Sequence, residues 1–366
     1  MPVKFLHTAD WQIGMNARHT GAASPRVREA RFRAAERLAQ IAGEEQVDFA
    51  ILAGDTFENH AVSLDEVERA AAILGRFPCV VYVLPGNHDP VEAGSIWERP
   101  VWREHQNVFI LELERPEPEP HGESVIFPCP LRSRWAADDP TAWIPAGNYP
   151  DCIRIGIAHG TLDSLPSAGR AHPIPADAAW ARRLDYLALG DWHSLRVFGD
   201  GQRGFRMAYS GTPEPTGFGE DASGRALIVE IDSPGAPPRL REVQVASLVW
   251  KRIEREILEP GALARLRQEV EAGSGENVLL ELKLRGALLP EDEAVLDALG
   301  SLAERFLLLR IDPSELLPCL ALDDLAEGPV KEAARRLEER TRAGGEAQAA
   351  RLALRTLLRL AKGAGA

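Results

Sequence analysis

Five short blocks concentrate the side chains that can do chemistry. They are His7-Thr8-Ala9-Asp10-Trp11-Gln12, Gly54-Asp55-Thr56-Phe57-Glu58, Gly86-Asn87-His88-Asp89, Ala158-His159-Gly160 and Gly190-Asp191-Trp192-His193. Carboxylates, imidazoles and carboxamides are the oxygen and nitrogen donors that divalent cations take. Two such cations about 3.5–4 Å apart can activate a water and clamp the attacking and leaving oxygens of a phosphodiester. A shared carboxylate is the natural way to hold two cations that close. Mixed N and O donors with octahedral room suit manganese, although magnesium, iron and zinc draw on overlapping ligand sets.

Each block follows an apolar run that reads as a strand. Val3–Leu6 precedes the first, and Asp48–Ala53 and Val80–Leu84 precede the second and third. Ile153–Ala158 and Leu184–Leu189 precede the last two. Helical periodicity fills the gaps at Arg26–Ala42, with Val27, Ala30, Ala34, Leu38 and Ile41 on one face, and at Leu64–Leu74. Continuous apolar runs alternating with amphipathic helices predict an α/β layer fold with buried parallel strands. Ligands gather at the carboxyl ends of such strands, so blocks scattered along the chain can converge. Residues of about 115–150 carry little periodicity and read as strands and loops wrapping one edge. Ala226–Glu230 reads as a late strand of the same domain, and Asp232–Pro238 as a hairpin or boundary. Further on, Leu263–Val270 and Glu291–Glu304 read as helices, and Val278–Leu284 and Phe306–Ile311 as strands. A helical stretch broken at Gly344-Gly345 follows from about Leu325.

The ordered blocks resemble the calcineurin-like metallophosphoesterase pattern of D-x-H, GD-x-x-[DE], GNH[DE], a lone His and GHxH. The opening FLHTADWQIG, the block YSGTPEPTGFGE and a small downstream domain are similar to SbcD-type DNA-repair exonuclease subunits. The resemblance implies a four-layer α/β/β/α core over residues 1–235, a small α/β capping domain over 245–318 and a helical tail over 325–366. It implies two divalent metal ions, with manganese favoured, and Asp55 as their bridge. Asp10 and His193 would bind one ion, and Asn87 and His159 the other. His88 would stand outside the metals, contact the phosphate and protonate the leaving oxygen. A metal-activated hydroxide would attack in line. The expected substrate is DNA, cleaved as an exonuclease with some endonuclease action.

Two positions depart from the pattern. Gln12 and Asp191 stand where histidine ligands are expected. A Gln carbonyl and an Asp carboxylate are both usable hard ligands, and the harder set favours manganese or magnesium over zinc. The rival expectation is a weakened or single-metal site.

The bulk composition narrows the field further. A net charge of −13 argues against a protein that coats nucleic acid through a basic surface, but not against a nuclease whose cations supply local positive charge. No apolar stretch suits a membrane span and no apolar signal core follows Met1, so the expected location is the cytoplasm. Cys79, Cys129, Cys152 and Cys319 lack C-x-x-C spacing and read as reduced, packed thiols. His7 reads as a structural polar residue, and Glu58 as a loop carboxylate. Gly211 and Glu220 read as shaping a loop, and His19, His60, His105, His121 and His172 as solvated or loop residues. Trp11 and Trp192 flank the expected ligands, with packing weighed against base stacking. In the tail, Ala350, Leu354, Leu357, Leu358 and Ala361 form an apolar stripe, with Arg351, Arg355 and Arg359 beside it. By resemblance this helix would dock an SbcC-like coiled-coil ATPase; packing on its own domain is the alternative. A homodimer is left open. Two other functions compete: a phosphoesterase for a cyclic nucleotide or phosphomonoester, and a non-catalytic scaffold for the ATPase.

Overall fold

The computed structural model describes residues 2–119, 122–165, 171–199, 204–259, 261–288, 292–318, 322, 325–341 and 347–364. Cys319, His121, residue 291 and the Gly344-Gly345 break lie outside them, as do the side chains of Arg351, Arg355 and Arg359. The chain divides into two compact units, Met1–Leu248 and Val249–Ala366.

The first unit runs β1 (Val3–Thr8), α1 (Ser24–Glu44), β2 (Phe49–Ala53), α2 (Leu64–Leu74), β3 (Val80–Leu84), β4 (Val108–Ile110), β5 (Glu117–Pro118) and β6 (Ser124–Cys129). It continues with β7 (Ile153–His159), α3 (Ala178–Ala181), β8 (Tyr186–Gly190), β9 (Arg196–Gly199), β10 (Phe205–Tyr209), β11 (Arg225–Ile231) and β12 (Arg239–Gln244). Two six-stranded sheets result, ordered β12-β11-β1-β2-β3-β4 and β5-β6-β7-β8-β10-β9. The central strands β1 to β4, and likewise β6, β7, β8 and β10, are parallel.

The two-residue period of a strand divides its side chains between two cores. From the first sheet, Phe5, Phe49, Ile51, Tyr82 and Leu84 face Ile126, Ile153, Ile155, Ile157 and Tyr186 of the second. The alternate residues Leu6, Ala50, Leu52, Val81 and Val83 meet Leu38, Ile41, Val67 and Leu74 of α1 and α2. Strands buried on both faces therefore read as continuous apolar runs. Beyond the second sheet lie Val125, Phe127, Leu187, Leu189 and Tyr209, covered by the short α3 and by loop residues such as Ile144, Leu162 and Ile174. This is the expected four-layer α/β/β/α order, with a fourth layer made mostly of loop.

One expectation needs correction. The stretch of about 115–150 does not simply wrap an edge, because β6 is an interior strand between β5 and β7 with all six residues buried. Burial on both faces erased its alternation, and Pro128 hid its strand character. The turn-formers at 232–238 form the β11–β12 hairpin within the first unit.

In the second unit, β13 (Val249–Ile257), β14 (Gly275–Leu288) and β15 (Phe306–Pro318) form a parallel sheet. The helices α4 (Ala262–Ala272) and α5 (Glu293–Gly300) supply Leu263, Leu266, Val270 and Leu299 to its core. Two helices follow, α6 (Pro329–Thr341) and α7 (Ala347–Ala364). The apolar stripe of α7 is occupied within its own unit: Leu354, Leu357, Leu358 and Ala361 pack with Leu325 and Ala334. Among the described residues no helix is long and apolar enough to cross a membrane.

Candidate metal centre

Asp10 follows β1 and Asp55 follows β2, and main-chain bonds lace the two loops together. Asp10 N–H donates to Gly54 O (3.1 Å), Gln12 N–H to Asp55 O (3.1 Å) and Ile13 N–H to Thr56 O (3.0 Å). Asp10, Gln12, Asp55 and Asp191 all adopt positive φ, at 54°, 51°, 52° and 103°. Such conformations cost about 1–3 kcal/mol each and persist where the surroundings enforce them, commonly at functional sites.

One donor atom from each of Asp10, Asp55 and His159 lies within 4.8 Å of the others, and all three residues are buried. Asn87 and Gln12 join them. His159 Nε2 lies 2.8 Å from Asn87 Oδ1, and the Gln12 amide nitrogen donates to Asp55 Oδ2 at 2.9 Å. Gln12 thus presents nitrogen to the centre here; half a turn of its amide would present the oxygen a cation needs. Asp191 is tied to Asp10 by its backbone N–H (3.1 and 3.2 Å), while its carboxylate accepts from Thr161 Oγ1 (2.7 Å). His193 stands outside the tight group, its Nδ1 2.9 Å from Glu220 Oε1 and 3.2 Å from Thr216 Oγ1.

The protonation pattern is that of an anionic cluster. His159 Nδ1 faces Ala53 O (2.9 Å) and Nε2 faces Asn87 Oδ1, so both ring nitrogens must donate. Burial disfavours that charge, but Asp55, Asp10 and Asp191 outweigh it and hold His159 well above its ordinary value. Burial likewise works against the low value of Asp55, and the His159 charge and bond, with His88, overcome it. Asp10 is pushed up to about 6, chiefly by burial. The positive neighbours that act on Asp10 are the imidazoles His159 and His193, which pull its value down against burial. The donors fit a divalent ion: two carboxylates, an imidazole whose Nδ1–H is fixed on a carbonyl, and two carboxamides.

Close packing holds the cluster in place. A Cβ on Gly190 would lie 2.0 Å from Ala53 O and 2.7 Å from His159 Nδ1, and one on Gly86 2.2 Å from Asp55 Oδ1. Gly190→Ala is expected to destabilise the fold by about 1–3 kcal/mol and to displace His159. Denaturant unfolding, with manganese titration of the folded variant, measures both effects.

His88 sits at the rim, its side chain 24% exposed. Its Nδ1 lies 2.9 Å from Glu58 O, and since a carbonyl only accepts, Nδ1 carries a proton. Nε2 lies 3.9 Å from Asp55 Oδ2. Glu58 thus acts on His88 mainly through its backbone carbonyl, with its carboxylate 4.0 Å away. His7 is a buried strut bonded to Tyr186 Oη (2.9 Å) and Leu189 O (3.2 Å), and burial lowers it to about 3. Trp11 is 2% exposed with Nε1 on Thr8 Oγ1, and Trp192 packs beside the outer core, which favours packing for both. His172, expected to be a solvated or loop residue, is a buried loop residue against Gly160, because His172 O would lie 2.2 Å from a Gly160 Cβ. Cys79, Cys129 and Cys152 are free thiols.

The structure gives three residues supporting roles that the sequence alone did not assign. Asp89, in the third block, accepts from Gly86 N–H (2.7 Å) and Phe57 N–H (2.9 Å), tying that block to the second. Glu220 receives His193 Nδ1 and the Thr216 backbone N–H, which turns His193 Nε2 away from that contact. Arg31 of α1 donates to Trp11 O (3.0 Å), Glu214 O (3.3 Å) and Pro215 O (3.1 Å), joining the first loop to the block that carries Glu220. Its signal was present: Arg31 falls four residues after Val27, on the apolar face of α1.

A pH prediction follows for the metal-free protein. Burial raises Asp89 to about 8, and Glu220 with Asp10 raises His193 to about 9 against the opposing effect of burial. Between the ordinary histidine value of 6.5 and about 9, the folded state binds more protons at both groups than the unfolded state does. Stability must therefore fall as pH rises across that window. A divalent ion competes with these protons, so its stabilisation should grow over the same range. Thermal melts with chelator and with manganese at several pH values test the sign.

A family model described as calcineurin-like phosphoesterase matches residues 3–222. An uncharacterised metallophosphoesterase, YhaO of Bacillus subtilis, is 29% identical over 181 residues, covering 47% of this chain and 43% of the relative. The DNA double-strand break repair protein Mre11 of Methanosarcina acetivorans is 22% identical over 256 residues, 68% of this chain and 40% of the relative. SbcD, a component of the nuclease SbcCD of Bacillus subtilis, is 23% identical over 340 residues, 78% of this chain and 80% of the relative. The chain spans less than half the length of the first two relatives. With the family model covering more than half of the sequence, the chain belongs to the calcineurin-like phosphoesterase family.

Proposed function

We propose that this protein is a manganese-dependent nuclease that hydrolyses DNA phosphodiesters, chiefly as an exonuclease. The observation that carries the proposal is the convergence of Asp10, Asp55 and His159 within 4.8 Å, with Asn87 bonded to the same group and His88 beside it. Asp55 is read as shared by two cations, with Asp10 and His193 on one side and Asn87 and His159 on the other. Gln12 and Asp191 complete the two sets. When bound, the cations supply an activated water and neutralise charge on the phosphoryl oxygens. The chain orients the donors. Ala53 O holds His159 so that Nε2 faces inward, and Glu220 holds His193 Nδ1. His88, anchored through Nδ1, presents Nε2 to protonate the departing oxygen.

The DNA reading draws support from the relatives named as a DNA repair protein and a nuclease component. The unit from Val249 onward is read as a cap and partner-binding region that a small substrate would not need. An ATPase partner would engage outer residues of the tail such as the exposed Leu352 and Leu360, since the inner stripe of α7 packs on Leu325 and Ala334.

The test is to incubate the chain and manganese with single-stranded DNA and, separately, with bis-p-nitrophenyl phosphate. Chelator-sensitive cleavage of both is expected. Hydrolysis of the small diester without DNA cleavage would overturn the nuclease reading in favour of a small-molecule phosphoesterase.

A further inference from the structure

We propose that the segment Arg132-Ser133-Arg134-Trp135-Ala136 is a stacking platform for the unpaired end of a nucleic-acid substrate, with Trp135 as the ring and Arg134 as the phosphate partner. The inference rests on the nuclease reading above and deepens it. Trp135 is 61% exposed, the most exposed of the large apolar side chains among the described residues. A tryptophan in water forgoes a large burial gain, and tryptophan is enriched at contact surfaces.

Its position gives the exposure a meaning. At one end, Leu131 O accepts from Val91 N–H (2.7 Å) and Leu131 N–H donates to Pro85 O (3.4 Å). Those residues flank the block that carries Asn87 and His88. At the other end, His172 N–H donates to Ala136 O (2.8 Å), and His172 Nε2 lies 3.1 Å from Ser133 O. His172 in turn packs against Gly160, next to His159. The segment thus runs from the block that supplies Asn87 and His88 to His172, which packs on the glycine beside His159.

The chemistry of the segment matches an unpaired strand. Arg132 is turned to Glu112 O (3.0 Å), and a nearby carboxylate, Asp139, is engaged with Thr141 and Arg182. Arg134 is exposed beside Trp135. An aromatic face with a neighbouring guanidinium suits a base on a phosphate backbone, and stacking tolerates any base. Of the rings that flank the ligands in sequence, Trp11 is buried and Trp192 is partly buried against the outer core.

Initial rates with manganese on an oligothymidylate, on an abasic strand of equal length and on bis-p-nitrophenyl phosphate test the proposal. Trp135→Ala should lower kcat/KM on the oligothymidylate by about 5–150-fold, the range that one lost stack implies. Trp135→Phe should restore most of it, and the abasic strand should distinguish the variants from the wild type far less. Arg134→Ala should act on both strands and flatten the salt dependence by about 0.7 in logarithmic slope. Equal losses on all three substrates with Trp135→Ala, or no loss on the oligothymidylate, would overturn the platform while leaving the nuclease reading standing. If the wild type hydrolyses only the small diester, the nuclease reading fails and the platform with it.

Discussion

Asp55→Asn is expected to lower phosphodiester turnover by about 10³-fold or more and to reduce the divalent metal held per chain. Asparagine keeps the shape of the side chain and removes its charge, so the effect isolates electrostatics. Asp55 is buried at φ 52°, receives the His88 backbone N–H (2.9 Å) and the Gln12 amide, and lies 3.4 Å from His159. Its carboxylate fills the space that a Cβ on Gly86 would occupy, 2.2 Å from Asp55 Oδ1. On the proposed two-cation reading Asp55 contributes to both ions, so its neutralisation should remove several kcal/mol of charge stabilisation. Metal content by elemental analysis, together with kcat/KM, checks the outcome. Near-normal turnover with a full metal complement would remove Asp55 from the centre of the mechanism.

The second large effect belongs to His88. His88→Asn should lower kcat on DNA by about 10²–10⁴-fold, the range for loss of a positioned general acid, with metal content almost unchanged. The ring is anchored through Nδ1 on a backbone carbonyl with Nε2 3.9 Å from Asp55, and the proposed mechanism gives that Nε2 to the substrate rather than to a cation. The loss should be smaller on bis-p-nitrophenyl phosphate, because p-nitrophenolate departs without needing a proton. If metal content falls together with turnover, His88 is a ligand and its assigned role is wrong.

Much of this was legible in the chain itself, because the signals are local. β2, α2 and β3 stand where their apolar runs and helical spacing placed them. The α2 start carries a capping box between Ser63 and Glu66, a device wholly contained in neighbouring residues. That β6, within a stretch read as strands and loops, lies inside the sheet was illegible for the converse reason. Its character comes from burial between β5 and β7, and a six-residue run containing proline does not advertise that. The tail shows the limit from another side. An apolar stripe reveals that a helix face must be covered, and only the packing of Leu358 with Leu325 and Ala334 shows what covers it.

The donor types, their order and their places after strands were all written in the linear chain, since strand propensity and side-chain chemistry belong to single residues and near neighbours. Folding in three dimensions was needed to settle which nitrogen of His159 is bound to Ala53, that Glu58 serves His88 through its backbone, and that Glu220 and Arg31 support the centre. It also settled that Trp135 rather than Trp11 faces water. Those outcomes depend on atoms from distant parts of the chain, as His159 and Ala53 are, and on packing that only the assembled sheets create.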